Sequence, residues 1–439
     1  MVLKANRRQF IQTSAAASMG YWGAGGVQAQ ESNSPNEQIA FASVGIGGKG
    51  SSDSGDAGNN GDMIAICDVD TSRLGGASGR FPKAKQYTDF RIMFEEMGDK
   101  IDAVTISTPD HCHTAAGLMA MRMGIHAFCQ KPMTHSIYEA RLMGDVAKEM
   151  GVATQMGNQG TANDGLRESA ALIKAGALGT IQEVHIWTNR PVWPQGNDPA
   201  PTQAPPENLE WDLWLGPAKH RDFSPGNYHP FSWRGWWDFG TGALGDMACH
   251  TMNMPFAALG LGDPISVQAI CSGHNKNSYP NWSKIDYKYE KSDSHPAMIC
   301  TWYDGGQKPD PELLDGQSPA NSGALVIGDK GKLYSPGDYG GSVNLLGCDK
   351  VEVEYEKSIG HFNEWVRAIK GGQPAMSNFP GYATPLTEMV LLGNLAVWAA
   401  PEGEGPEVMW DAKNMKATGA PDLDEIVKPT YRPGYILDV

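Results

Sequence analysis

The stretch GALGDMACHTMNM, Gly242 to Met254, sets Asp246 and His250 four residues apart among small and apolar side chains. On a helix this spacing puts both on one face. An acid and an imidazole so placed serve as a satisfied core pair, as half of a metal site, or as a proton-transfer pair beside a substrate. A metal needs further ligands. His220, His229 and the DHCH run from Asp110 to His113 supply the residue types without a recognisable ligand spacing, so no metal is expected. A second candidate is Lys131 in QKPM, at the end of an apolar run and followed by Pro132. At the mouth of a parallel sheet its charge would favour a developing alkoxide. The third is a turn, GIGGKG, in which Gly45, Gly47 and Gly50 match GxGxxG. The first glycine permits a tight turn and the second lets backbone approach a pyrophosphate. The third lets helix pack on strand, with the helix amino terminus aimed at phosphate.

These residues need a scaffold that brings distant positions together. IAFASVGIGGKG, from Ile39 to Gly50, reads as a buried strand entering the glycine turn, and MIAICDVD, from Met63, as a second strand ending in Asp68. An acid there binds a ribose hydroxyl and disfavours a 2′-phosphate, so NAD is the expected cofactor, with NADP the alternative through nearby Arg73. IDAVTISTPD and HAFCQKP supply further strands, while DFRIMFEEMG and HTAAGLMAMRMG read as helices. This alternation predicts an α/β fold with a parallel, doubly wound sheet over residues 38–155.

From about Gly151 the character changes. The helix DGLRESAALIKAGALG, the alternating strand TIQEVHIWTN, the strands ISVQAICSG, AMICTWYDG and GALVIGDKGKLYS, and the helices HFNEWVRAIKGG and TPLTEMVLLGNLAVWAA predict an α+β domain with an open mixed sheet over 156–400. An extended tail is expected over 401–439. The polar run GQKPDPELLDGQSPANSG reads as a surface insertion. Between Arg190 and Asp238 lie Trp193, Trp211, Trp214, Trp233, Trp236 and Trp237, with Trp187 just before. So long and aromatic a loop is expected to be functional rather than disordered. Trp211 and Trp214 are expected to pack it down, leaving other rings to stack on a sugar face.

The chain has 439 residues, enough for two cores, and a formal charge of −15. That charge argues against nucleic acid or an anionic membrane as partner and leaves a small neutral or polar molecule. Residues 1–30 have the form of a twin-arginine export signal: Arg7 and Arg8, an apolar Ala-rich stretch, then a small-residue cleavage site at Val27 and Ala29. A periplasmic location follows, with no membrane anchor in the mature form. The seven cysteines show no CxxC pair and an odd count, so buried thiols are expected rather than a disulfide framework.

GxGxxG, Asp68, STPDHCH, CQKP and the DxxxH of Asp246 and His250 occur in the order found in the Gfo/Idh/MocA oxidoreductases, which the chain resembles from about residue 38 to about 400. The resemblance implies a Rossmann domain joined to an α/β domain whose sheet covers the substrate, and NAD(P)-dependent oxidation or reduction of sugars and cyclitols. It implies that Lys131 is the lysine of the family's EKP motif and that Asp246 and His250 are its carboxyl-domain acid and base, with His250 taking the hydroxyl proton. It places Thr108, Pro109, His111 and His113 on the nicotinamide side. Gln130 stands where the family usually has Glu; it is expected to hydrogen-bond the cofactor ribose, but without a charge it puts cofactor affinity and preference in question. The expected substrate contacts are Gln159, Arg190, Trp233, Arg234 and Trp237. WDLWLGPA and WRGWWDFGTGALGDM resemble an exported subgroup, and relatives with an open sheet face often pair through it as dimers or tetramers. An exported enzyme must carry its cofactor with it and regenerate it in place. Net sugar oxidoreduction with a tightly held cofactor is therefore expected, and the alternative is an NAD-dependent glycosidase or lyase working through a transient 3-keto sugar. A carbohydrate-binding module on a decayed Rossmann scaffold would not need Lys131, Asp246 and His250 together.

Overall fold

The computed structural model describes residues 38–198 and 200–437; the export signal expected over residues 1–30 lies outside the described residues. The chain begins with β1 (Ile39–Val44), α1 (Lys49–Asn60), β2 (Gly61–Cys67), α2 (Thr71–Ser78), β3 (Lys85–Tyr87), α3 (Phe90–Met97), β4 (Ala103–Ile106), α4 (His113–Arg122), β5 (His126–Cys129), α5 (Ile137–Met150) and β6 (Thr154–Met156). The six strands form one parallel sheet in the order β3-β2-β1-β4-β5-β6. Every residue of β1 and β4 is buried because helices cover both faces, which is why these strands read as unbroken apolar runs. β6 closes this sheet.

Helix α1, KGSSDSGDAGNN, is a poor helix by propensity and exists through tertiary packing. A Cβ on Gly50 would lie 1.9 Å from the Gly45 carbonyl oxygen, and one on Gly45 would lie 2.7 Å from that of Ser107, at a φ of +76°. The turn is thus pressed into the gap where β1 and β4 diverge. α5 is the opposite case: a Ser136/Glu139 capping box starts it and left-handed Gly151 stops it.

The second domain adds α6 (Asp164–Lys174), β7 (Ile181–Trp187), α7 (Trp211–Leu215), α8 (Gly242–Thr251), α9 (Asn253–Leu259), β8 (Ser266–Cys271), β9 (Ser283–Tyr289), β10 (Met298–Tyr303), β11 (Gly323–Gly328), β12 (Lys332–Pro336), β13 (Asn344–Leu346), α10 (His361–Ile369), α11 (Thr384–Trp398), β14 (Val408–Asp411), β15 (Lys416–Thr418) and α12 (Asp424–Val427). Its nine strands run β13-β12-β11-β7-β10-β9-β8-β14-β15, antiparallel except for β7 against β10. GALVIGDKGKLYS is a hairpin of β11 and β12 rather than one strand. The expected surface insertion lies over the sheet, with buried Leu314 among Trp187, Leu325, Ile327 and Tyr334.

Residues 401–437 are not an extended tail. β14 and β15 extend the large sheet from β8, and the chain then returns to the first domain, where the Leu437 carbonyl accepts from Arg122 Nη2 at 2.7 Å. α10 also crosses back, burying Trp365 against Phe41 and Phe128. Six of the seven cysteines are buried, Cys348 is half-buried, and all are free thiols. No described helix is long and apolar enough to cross a membrane.

Candidate functional site

A cleft of about 410 Å³ runs along the carboxyl ends of the parallel strands and under the second domain. At one end lie Gly45, Gly47, Gly48, Asp68 and Arg73; at the other, Lys131, Arg190, Arg234, Asp246, His250 and Tyr339. Ligands of doubly wound sheets bind at such a switch point.

The nucleotide end is a backbone cradle. No atom stands within 4 Å of a Cβ added at Gly48, and only the Arg73 side chain meets one added at Gly47, so this face of the turn is open to a ligand. Asp68 accepts the Ile46 N–H through Oδ2 and the Asp70 N–H through Oδ1, both at 3.0 Å. A carboxylate keeps further lone pairs for a ribose hydroxyl. The residues present therefore fit a dinucleotide. Gln130 does not reach out as a cofactor ligand. Its Nε2 donates to Asp53 Oδ2 at 2.9 Å, beside the Ser107 hydroxyl on the same oxygen at 2.7 Å, while Lys49 pairs with Oδ1. A buried acid on α1 already occupies this corner, and an amide fits against it where a second carboxylate would repel.

At the reaction end Lys131, just past β5, meets Asp246 on α8. Its Nζ donates to the Asp246 carbonyl at 2.7 Å and to Oδ1 at 3.0 Å, and Arg234 Nε donates to the same Oδ1 at 3.1 Å. Burial alone would raise the Asp246 carboxyl, but Lys131 and Arg234 outweigh it and hold the group well below the usual carboxylate range. His250 lies one turn on. Burial, then the Lys131 charge, push its imidazole well below the ordinary value, so it is neutral at pH 7. Its Nδ1 is buried with no hydrogen-bond partner among the described residues, and the ring borders the cleft, leaving Nε2 to meet a substrate. Tyr339 stands edge-on to this ring, centroids 4.9 Å apart.

The Trp-rich stretch 190–238 forms the outer wall. The Thr71 N–H donates to the Asn208 carbonyl at 2.9 Å, the Glu210 N–H to that of Val69 at 3.0 Å, Asn208 Nδ2 to Asp70 Oδ1 at 2.7 Å and His229 Nε2 to Asp70 Oδ2 at 3.1 Å. Burial opposes charge on Asp70, yet hydrogen bonds from Ser72, Asn208 and His229 hold its carboxyl down to about 2. These ties strap the stretch to the β2–α2 turn, with Leu213, Trp214, His229, Pro230 and Phe231 lining the cleft opposite Asp68 and Arg73.

Of the expected site residues, Gly45, Gly47, Asp68, Thr108, Pro109, Gln130, Lys131, Gln159, Arg190, Trp233, Arg234, Asp246 and His250 line this cleft. Gly50 does not; it is the packing glycine beneath the turn. His111 and His113 are also turned away. The ring nitrogens of His111 lie 3.1 and 3.0 Å from the Phe239 and Trp214 carbonyl oxygens, those of His113 2.9 and 2.8 Å from the Pro132 and Thr108 oxygens. Both are held from behind the cleft by these carbonyls, and burial pushes His111 down to about 3. Trp237 stacks on Tyr279, centroids 3.8 Å apart, and lines a second cavity of about 210 Å³. Trp214 packs against Trp211 as expected but also reaches the cleft wall. Sequence reasoning missed Tyr339, Phe231 and His229 as lining residues. Phe231 and His229 fall in the aromatic loop already expected to be functional, and the glycines around Tyr339, in GDYGG, are the signal for a shaped loop there.

A doubly wound sheet with an open glycine cradle, and with Lys131 at its edge meeting Asp246 and His250 of a second domain, defines a two-domain dinucleotide-binding protein. The chain belongs to the Gfo/Idh/MocA oxidoreductase family: residues 39–158 match its NAD-binding Rossmann fold and residues 167–435 its C-terminal alpha/beta domain. Among curated relatives, levoglucosan dehydrogenase of Pseudarthrobacter phenanthrenivorans is 24% identical over 208 residues, 47% of this chain and 44% of that protein. D-glucoside 3-dehydrogenase of Escherichia coli is 29% identical over 93 residues, 21% of this chain and 26% of that protein. The chain thus matches less than half the length of these relatives. Among solved structures, the WlbA dehydrogenase of Bordetella pertussis, in complex with NADH and UDP-GlcNAcA, superposes with a TM-score of 0.59 at 16% identity, covering 82% of this chain and 97% of that one. Aldose-aldose oxidoreductase of Caulobacter crescentus, complexed with glycerol, gives 0.56 at 16% identity over 87% and 100%. At these identities the structures show the shared fold.

Proposed function

We propose that the protein is a sugar oxidoreductase that transfers hydride between a hydroxyl-bearing carbon and a tightly held NAD. The observation that carries this reading is the single cleft with the glycine cradle at one end and Lys131, Asp246 and His250 at the other. The names of the sugar dehydrogenases among its relatives support the substrate class. NAD is favoured over NADP because Asp68 lies at the end of β2 and Arg73 is drawn to Asp68 and Asp70, at 3.8 and 3.6 Å, rather than left free for a 2′-phosphate.

When bound, the dinucleotide supplies the hydride acceptor. Gly45, Gly47 and Gly48 let backbone approach its phosphates, and the amino terminus of α1 faces them. His250 Nε2 receives the substrate hydroxyl proton, as only a neutral imidazole can. Lys131 favours the developing alkoxide, and Asp246 holds the Lys131 ammonium in place.

The strap across the nucleotide end supports retention of the cofactor, and it also favours a second reading in which one substrate is oxidised, cleaved and reduced within a closed cycle. Periplasmic residence rests on Arg7 and Arg8 and fits both readings. Pairing of copies through the outer face of the large sheet is supported by exposed Ile270, Ile299 and Met409 on its strands. The test is to denature the purified native protein and weigh the released small molecule, then follow a sugar panel at the nicotinamide absorbance. A protein that releases no nicotinamide dinucleotide and binds neither NAD nor NADP in calorimetry overturns the proposal. Release of aglycone from aryl glycosides without net reduction of NAD selects the second reading.

A further inference from the structure

We propose that the sugar this site accepts carries a carboxylate, bound by Arg190 and Arg234 at the reaction end of the cleft. The inference rests on the sugar oxidoreductase reading and adds the charge of its substrate.

Three cations, Lys131, Arg190 and Arg234, line this end. Two acids line it as well. Asp246 spends a single oxygen, Oδ1, on both Lys131 and Arg234. Asp110 accepts the Thr241 hydroxyl through Oδ2 at 2.6 Å, turned towards the protein, and even counted as charged it leaves three cations against two carboxylates. His250 adds no charge, and Lys49 is paired with Asp53. Arg190 has no carboxylate within ion-pair distance among the described residues; its Nη1 donates to the neutral amide oxygen of Asn189. The end of the cleft is therefore cationic in a chain whose formal charge is −15, and an oxidised nicotinamide would add a further positive charge. Such an excess in a half-enclosed cleft is costly until an anion offsets it.

The geometry suits a planar anion. The Arg234 guanidinium lies over the Trp233 ring at 4.2 Å and near Phe231 and Trp193 at 4.7 and 5.8 Å, while Nη1 donates to the Phe231 carbonyl at 3.0 Å. Of its five N–H donors, Nε and one on Nη1 are used, and the aromatic rings fix the plane of the remainder. A guanidinium held in one plane matches a carboxylate through paired hydrogen bonds better than it matches scattered hydroxyls. The same contacts occupy the faces of Trp233 and Phe231, so these rings support the arginine instead of offering a bare stacking platform.

The experiment uses the cofactor-loaded protein with D-glucuronate, D-galacturonate, D-glucose, D-galactose and D-glucose 6-phosphate, read by nicotinamide absorbance and, independently of turnover, by calorimetric binding. The acids are expected to bind or react about 10- to 100-fold better than their neutral counterparts, a preference that weakens with salt. Arg190→Met should erase most of it through KM, changing the neutral sugars far less. Equal behaviour of acids and neutral sugars, or an equal loss for both in Arg190→Met, overturns the proposal. A preference confined to the sugar phosphate overturns the carboxylate assignment and makes phosphate the anion. Absence of any bound dinucleotide overturns the oxidoreductase reading instead, and the binding arm still decides whether charge is recognised.

Discussion

Lys131 and Asp246 stand 115 positions apart in the chain and are joined twice in the fold, the ammonium bridging the backbone carbonyl at 2.7 Å and the carboxylate at 3.0 Å. One partner follows a strand of the parallel sheet and the other sits on a helix of the second domain, so the bridge ties the domains together at the point where chemistry would occur. Replacing Lys131 by Met should lower kcat by about 10²- to 10⁴-fold while the bound dinucleotide is retained. Single-turnover kinetics together with the mass of the retained cofactor check this. Loss of cofactor with unchanged kcat would assign Lys131 to binding alone.

His250 gives a pH dependence of defined sign. Burial and the Lys131 charge both disfavour the imidazolium, so the folded-state value lies well below the ordinary 6.5. The neutral, proton-accepting form then persists as pH falls through 6.5. The acid limb of kcat/KM should appear below that value, and a limb at or above it would point to another group. The same shift means that His250 contributes to folding stability above pH 6.5 and loses that contribution as pH falls and the unfolded chain takes up the proton.

If the strap holds the cofactor in place, loosening it should speed release. Asn208 and His229 each donate one hydrogen bond to Asp70, at 2.7 and 3.1 Å. The double variant Asn208→Ala/His229→Ala should release nicotinamide dinucleotide about 10- to 100-fold faster, at about 0.5–1.5 kcal/mol per bond. Timed dialysis followed by mass measurement reads the rate, and an unchanged rate would show that the strap does not retain the cofactor.

Gln130 and Asp53 should behave as a pair. Gln130→Glu sets a second carboxylate against Asp53 Oδ2, where the amide now donates at 2.9 Å, and should cost about 1–3 kcal/mol in urea unfolding. Adding Asp53→Asn should restore most of it, because the amide and acid are then exchanged. A double variant no better than the single one would show that the two side chains do not couple.

Much of this was legible before any fold was known. The glycine turn, Asp68 and the strand–helix alternation carry their meaning locally: strand periodicity and the steric needs of a turn are properties of neighbouring residues. Helical spacing likewise put Asp246 and His250 on one face. The resemblance to the family was no guide to side-chain direction at His111, His113 and Trp237. Their types suggested site residues, but a side chain's direction depends on what packs behind it, and here backbone carbonyls and the Tyr279 ring claim them.

The sequence by itself determined the parallel sheet, the glycine cradle and the placing of Asp246 and His250 on one helix face, because each is written in short-range spacing. Only the tertiary structure decided that β14 and β15, within residues 408–418, complete the large sheet, that Gln130 answers a buried Asp53, and that the Trp-rich loop is tied to the nucleotide end through Asp70. These are contacts between residues far apart in the chain, set by burial and hydrogen bonding across elements, and no local pattern encodes them.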